Sequence, residues 1–241
     1  MEELTLVLCP MEEELTELLG KIEKPEPTEA GTVKGFRFAI GGKEYFAFQS
    51  RIGKANIGFD LGLLSQAAKI RKIYVLGVAG SLKEDLVPLN VVVAEKVCYY
   101  DVDITLGGKY VIGQMAGEKL YYECDKEDLS YVKSLNTTLT IRTGTIISGD
   151  SFATKGNMTK ELLAHFDDPL AVDMESGAAG QMAHRLGVPF VVIRGISDSV
   201  FATGDNGQVF SEMLSLAARR AASVFVHLVK EDYVPGQPLS Q

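Results

Sequence analysis

The sequence predicts an α/β fold built around a largely parallel or mixed β-sheet. Three observations carry that prediction. Short apolar, β-rich runs alternate along the chain with helix-like stretches. Glycine-rich turns follow several of the strand runs and let backbone approach a ligand closely. Two apolar runs lead directly into acids, AVDMES at 171–176 and PFVVIRGISD at 189–198. Acids at the carboxyl ends of buried strands stand where open α/β sheets bind ligands.

Taken in order, residues 4–9 (LTLVLC) read as a short buried strand. Residues 11–22 follow as an amphipathic helix with Leu15, Leu18, Leu19 and Ile22 on one face. The stretch 24–30 contains prolines and reads as a loop. Residues 33–40 and 44–49 flank Gly41-Gly42-Lys43 and predict a hairpin, which adds antiparallel character. Residues 55–70 read as a helix introduced by Gly53-Lys54, and 73–76 as a strand ending in the turn Gly77-Val78-Ala79-Gly80. Residues 90–99 and 137–148 are β-rich, the second run ending in Gly149-Asp150-Ser151-Phe152. Residues 176–186 form a small-residue helix, Gly187 stops it, and 188–193 return as a strand. Residues 208–230 form a long terminal helix with Met213, Leu214, Ala217, Ala221 and Phe225 at helical spacing. No linker divides residues 1–230, which read as a single domain; 231–241, with two prolines, read as a C-terminal tail.

At 241 residues and 46% hydrophobic, the chain can build one substantial core. A net charge of −8 disfavours a nucleic-acid partner, which calls for a basic field. No apolar run approaches the ~20 residues of a membrane helix, and the stretch 4–9 is too short for a signal peptide. Cys9, Cys98 and Cys124 are far apart, with no CxxC or Cys/His pattern. Neither a disulfide framework nor a zinc site is expected, and a reducing cytoplasm is the simplest compartment. His165, His184 and His227 lack paired ligands and read as packing residues.

The candidate chemistry rests on acids. A carboxylate against an apolar wall has its pKa raised and can exchange protons near neutrality. Glu175 and Asp198 stand at such places, and Glu14 joins them. Interaction with the helix dipole accounts for Glu12 and Glu13; Glu14 lies in the same turn and either shares that role or faces a pocket. Capping of the helix at 176 needs one acid or hydroxyl, Asp173 or Ser176, and leaves an acid over. Asp198 either caps a turn or serves the site. Arg194, inside an apolar strand, needs a partner: a structural ion pair or a ligand. Gly53-Lys54-Ala55-Asn56 reads as a helix start or an anion cradle, without P-loop spacing. The GVAG run at 77–80 is not GxGxxG and indicates no dinucleotide. Phe152, Met174 and Phe210 are core residues or pocket walls.

Seven short motifs, taken in order, carry a family resemblance: MEEEL (11–15), IGKAN (52–56), GVAGSL (77–82), DVDIT (101–105), SGDSF (148–152), VDMES (172–176) and RGISD (194–198). In their order and spacing the chain resembles the purine nucleoside phosphorylase/uridine phosphorylase superfamily. The nearest branch is its hydrolases, the 5′-methylthioadenosine/S-adenosylhomocysteine nucleosidases. The resemblance runs from Leu4 to about Lys230. It implies a three-layer sandwich with a central twisted mixed β-sheet flanked by helices, a homodimer, and no metal or organic cofactor. It implies hydrolysis of an N-glycosidic bond, giving adenine and a 5′-thio-ribose.

By the same resemblance, Asp198 corresponds to the general acid protonating adenine N7, and Glu14 to the group activating the attacking water. Glu175 corresponds to the ligand of the ribose hydroxyls, with Met174 packed below the sugar. Ser197 and Arg194 support Asp198 and the water site. Phe152 resembles the ring stacked on adenine, and the Ala153 backbone reads the base edge. Met11, Ile52, Ile104 and Phe210 resemble the apolar lining for ribose and the 5′-thio group. Val78, Ala79 and Gly80 fall beside the sugar and the water. The chemistry agrees with these roles: a poor leaving group needs an acid, and carboxylates stabilise a cationic ribosyl fragment.

Two details bear on the reaction. Phosphorylases of the superfamily resemble a GDPxR-type turn after the first strand. Here that place reads CPMEEE (9–14), whose acids repel phosphate. The nucleosidases often carry Ser where this chain has Val78, and the stretch 199–209 is slightly longer than theirs. Another adenosine-type nucleoside, such as aminodeoxyfutalosine, is therefore a second candidate substrate. The resemblance also leaves room for a purine nucleoside phosphorylase and for a non-catalytic nucleoside-binding protein. A NAD-dependent oxidoreductase would need a glycine fingerprint that the chain lacks.

Overall fold

The computed structural model describes residues 2–135 and 137–230; the tail expected at 231–241 lies outside the described residues. In chain order the elements are β1 (Glu3–Cys9), α1 (Glu12–Leu19), β2 (Glu26–Ala30), β3 (Val33–Ile40), β4 (Lys43–Gln49), α2 (Lys54–Ala67), β5 (Lys69–Ser81) and β6 (Val91–Tyr99). There follow β7 (Tyr122–Glu123), α3 (Lys126–Ser134), β8 (Ile141–Ser148), α4 (Lys160–Leu163), β9 (Pro169–Asp173), α5 (Ser176–Leu186), β10 (Phe190–Ser199) and α6 (Asn206–Val229). The strands form one mixed sheet between helices, as expected. Helices α1 and α6 pack together on one side, α2 and α5 on the other. Adjacent residues of β10 mark the two faces: Arg194 reaches Ser176 of α5, while Gly195 lies against Ala217 of α6. The inner strands are apolar on both faces because both are covered, and β10 is buried from Phe190 to Asp198.

Strand β5 organises the sheet. One of its edges pairs with β10 from Ile73 to Ser81. Its other edge pairs with β1 as far as Val75, then with β9 at Gly80 and Ser81. Since β10 also pairs with β6, β6 with β8, and β8 with β9, the strands β5, β10, β6, β8 and β9 close a ring. The β1–β4–β3–β2 wing extends from it. Between Val75 and Gly80 the β1/β9 edge of β5 has no strand partner among the described residues. That gap places the site.

Several elements differ from the sequence expectation. The 24–30 loop is in part β2, antiparallel to β3. It is the outermost strand, where Pro27 can lie without a missing ladder bond. Gly77–Gly80 is not a turn after a strand but the continuation of β5. The helices expected at 11–22 and 55–70 stop at Leu19 and Ala67. The strand expected at 137–148 begins at Ile141, and the one expected at 188–193 continues to Ser199. The hairpin forms as read: Gly41 and Gly42 both have positive φ, which a tight two-residue turn requires.

Candidate active site

The first acid arrives from α1. Glu14 reaches back to its helix start, where its Oε2 accepts the Met11 N–H at 2.8 Å. Its Oε1 accepts the Val78 N–H at 2.8 Å, filling the gap in the β5 edge. Both oxygens are thus held by main chain, and the side chain is buried. Burial pushes its pKa up to about 7, while Arg194 and the two N–H donors pull against that shift.

Arg194 lies beneath the cavity, fully buried. Its Nε meets Asp173 Oδ2 at 2.8 Å, its Nη2 meets Glu175 Oε2 at 3.3 Å, and its Nη1 stands 3.9 Å from Glu14 Oε1. The ion-pair reading of Arg194 therefore holds, with three acids rather than one. Among the described residues Nη1 has no hydrogen-bond partner. Asp173 also receives Ser148 Oγ at 2.5 Å, the Ser176 hydroxyl, and the backbone N–H groups of Glu175 and Ser176. It holds the two N–H groups that lead into α5, whose cap position is Glu175, and anchors Arg194 at once.

Glu175 follows at the mouth of α5. Its Oε1 accepts the Gly53 N–H at 3.1 Å. Gly53 opens α2 with φ of 100°, a conformation that side-chain-bearing residues rarely adopt. Burial raises the Glu175 pKa; Arg194 opposes this, and the charges of Asp173 and Glu14 reinforce it. Asp198 sits where the β10–β5 register shifts, an irregularity that re-aims side chains. Ser197 Oγ lies 2.8 Å from Asp198 Oδ1 and 3.3 Å from the Ala79 carbonyl. Burial raises the Asp198 pKa, and the Ser197 hydrogen bond partly offsets it.

These groups surround one cavity of about 210 Å³. Met11, Glu14, Ile52, Val78, Ala79 and Gly80 line it from the first half of the chain. Phe152, Ala153, Met174, Glu175, Ser197, Asp198 and Phe210 line it from the second. The Phe152 and Phe210 rings meet edge to face, 5.5 Å between centroids. Two expected residues are outside the lining: Arg194, which is fully buried beneath it, and Ile104. Ile104 is absent from the wall formed by its own chain and stands 37% exposed on the segment after β6. The sequence reading missed Pro10, Ser151, Val172 and Asp173 as wall residues. The walls are apolar, the charges are carboxylates, and among the described residues no Lys, Arg or His is in the lining. No group of three or more His, Cys, Asp or Glu among the described residues is arranged to hold a metal ion. Such a site can bind an uncharged, partly apolar ligand, donate a proton, accept one, and stabilise positive charge.

Comparison with known proteins agrees. The model of the phosphorylase superfamily matches residues 5–230. The 5′-methylthioadenosine/S-adenosylhomocysteine nucleosidase of Staphylococcus haemolyticus is 32% identical over 226 residues, covering 93% of this chain and 98% of that one. The structure of the same-named nucleosidase from S. pneumoniae, with a transition-state inhibitor, MT-ImmA, superposes with a TM-score of 0.84 at 31% identity, covering 95% and 99% of the two chains. That of the S-adenosylhomocysteine nucleosidase from Streptococcus pyogenes, in complex with 5-methylthiotubericidin, gives 0.85 at 30% identity over 97% and 99%.

Proposed function

Because the chain belongs to the phosphorylase superfamily, and within it to the 5′-methylthioadenosine/S-adenosylhomocysteine nucleosidases, we propose that it hydrolyses those two nucleosides in the cavity described above. As a purine nucleosidase, it is an N-glycosyl hydrolase. The observation that carries the residue assignment is the meeting of Glu14, Glu175 and Asp198 at one largely apolar cavity.

Adenine leaves poorly as an anion. Asp198, its proton affinity raised by burial, donates to N7 of the base as the glycosidic bond lengthens. Ser197 keeps that carboxyl oriented. The ribosyl group then carries positive charge, which the neighbouring carboxylates stabilise. Glu14 takes a proton from the attacking water, in the manner of the base of an inverting glycosidase. Arg194, buried behind the lining, stands 3.9 Å from Glu14 and pairs with Glu175, and so supports the water site by holding both acids. Glu175, fixed by Gly53 and Arg194, accepts the ribose hydroxyls. Phe152 and Ala153 hold the base, and Met11, Ile52, Met174 and Phe210 hold the sugar and its 5′ group. Water is the nucleophile because a phosphate dianion would enter among acids and find no cation in the walls.

The test is a nucleoside panel with free-base detection, run with and without phosphate. Adenine should appear from methylthioadenosine at the same rate in both. Asp198→Asn should slow that release by about 100-fold or more, an order set by the 10²–10⁴ range of general acid catalysis. It should spare a nitrophenyl riboside, whose leaving group needs no proton. Phosphate-dependent ribose 1-phosphate would refute the hydrolytic reading. Aminodeoxyfutalosine belongs in the panel, since Val78 gives the wall an apolar side chain.

Residues 1–230 act as one nucleoside phosphorylase-like domain. The three buried, free thiols suit a reducing cytoplasm. The chain works as a homodimer through α2 and the segment after β6. Helix α2 buries Ile57, Leu61 and Leu64 inward yet leaves Phe59 64% exposed, and Leu106 is 100% exposed.

A further inference from the structure

We infer that Gly77 is a positioning residue of this active site: its missing side chain is the space in which Glu14 and Arg194 meet. The inference rests on the assignment of Glu14 as the water-activating base. A Cβ built on Gly77 would lie 2.3 Å from Arg194 Nη1, 2.3 Å from Glu14 Oε1 and 2.8 Å from Glu14 Cδ. Real Cβ contacts essentially never fall under 3.0 Å. Neither side chain can step aside freely. Glu14 is held by two main-chain N–H groups, and Arg194 by Asp173 and Glu175. Gly77 and Arg194 are direct partners in the β5–β10 ladder.

The need for glycine here is spatial. Gly77 is not among the positive-φ glycines, so alanine can adopt its backbone. Gly195 offers a contrast. A Cβ there would lie 2.0 Å from the Ala217 carbonyl oxygen, so that glycine serves helix-on-strand packing. At Gly77 the nearest three atoms all belong to Glu14 and Arg194. Alanine would push the Glu14 carboxylate off the Val78 N–H and away from Nη1.

The test compares Gly77→Ala, Glu14→Gln and the double variant in adenine release from methylthioadenosine across pH, with adenine binding measured beside it. Displacing a catalytic group by about 1 Å costs on the order of 100-fold, and a loss of that order in kcat is expected for Gly77→Ala. Adenine affinity should stay as in the parent protein. The double variant should be no slower than Glu14→Gln alone, because the two act as one unit. The acidic limb of the rate profile should move to higher pH, since Arg194 and the Val78 N–H both hold the Glu14 proton affinity down. Cys9 of β1, Asp173 of β9 and Glu175 also face Glu14 and stay in place. An unmoved limb with full turnover, or losses that add, overturns the inference. Turnover surviving in Glu14→Gln overturns instead the role of Glu14, and the positioning role with it. Should Gly77→Ala fail to fold, Glu14→Ala is added to it. Recovery of the fold supports the overlap; continued failure assigns Gly77 to packing.

Discussion

Glu14 serves two neighbours with one carboxylate. One oxygen closes the first turn of α1; the other leaves the helix for a strand 64 residues away. Its folded pKa of about 7 stands above its ordinary 4.5, so folding disfavours the ionised form. Stability tied to this group is whole below about pH 4.5 and is lost as pH rises through about 7. Glu14→Gln should therefore gain on the parent protein across that window in urea unfolding, whatever constant offset the lost acceptor adds. In turnover the parent should fall as pH drops below about 7 and Glu14 takes up its proton. A stability difference flat in pH would remove Glu14 as the titrating group. The same residue shows where sequence reading stops. Periodicity placed Glu14 in the first helical turn, but the Val78 amide that fixes its direction is invisible from there. Asp198, near the end of β10, and Met174 and Glu175, just beyond β9, are legible because each follows an apolar run. Asp173 reads from sequence as one of two candidate caps, with Ser176, and not as the anchor of Arg194. Gly77 read as a turn residue, since only coordinates reveal what its absent Cβ would strike. Ile104 was carried over by likeness alone, and its own chain does not bring it to the cavity.

Elements with local punctuation were read best. Helix α5 spans the expected residues because Asp173 starts it and Gly187, with φ of 67°, ends it. Strand β10 ran longer than expected because Arg194 and Gly195 interrupt its apolar pattern, while pairing on both edges carries it through. Helices α3 and α4 are marked only by their caps: Asp125 and Thr159 accept backbone N–H bonds at their starts. Tertiary pairing, not propensity, makes β7 from two residues against β6. Helix α6 was plain from its apolar spacing. Its Phe225 is fully buried, with Tyr74 and Tyr45 at ring distances of 5.1 and 5.8 Å. Phe225→Ala should cost about 3–5 kcal/mol in denaturant unfolding. Activity per folded molecule should persist, because Phe210 stands about 22 Å away along the helix. A loss of kcat at full occupancy of the folded state would show that α6 transmits strain to the cavity.

At the scale of the molecule, the proposed dimer and the ring of strands each have consequences. Phe59→Glu should yield monomers in sedimentation velocity, because a charge cannot be buried against an apolar partner without a counterion. An unchanged mass would move the interface elsewhere. The ring matters for how the chain can be divided. The turn at 106–108 pairs a fully exposed Leu106 with two positive-φ glycines, a surface tip where cleavage is tolerated. Cutting there leaves Glu14, β5 and β6 on one piece and Glu175, Asp198, β8, β9 and β10 on the other. Four ladders of the closed ring cross the seam, β5–β10, β5–β9, β6–β8 and β6–β10, and the α1–α6 and α2–α5 packing crosses with them. Neither piece alone should release adenine; mixed, they should regain hydrolysis as the ladders zip together. The enzyme would then serve as a split reporter, its signal switched on only when two fused partners bring the halves within reach of each other.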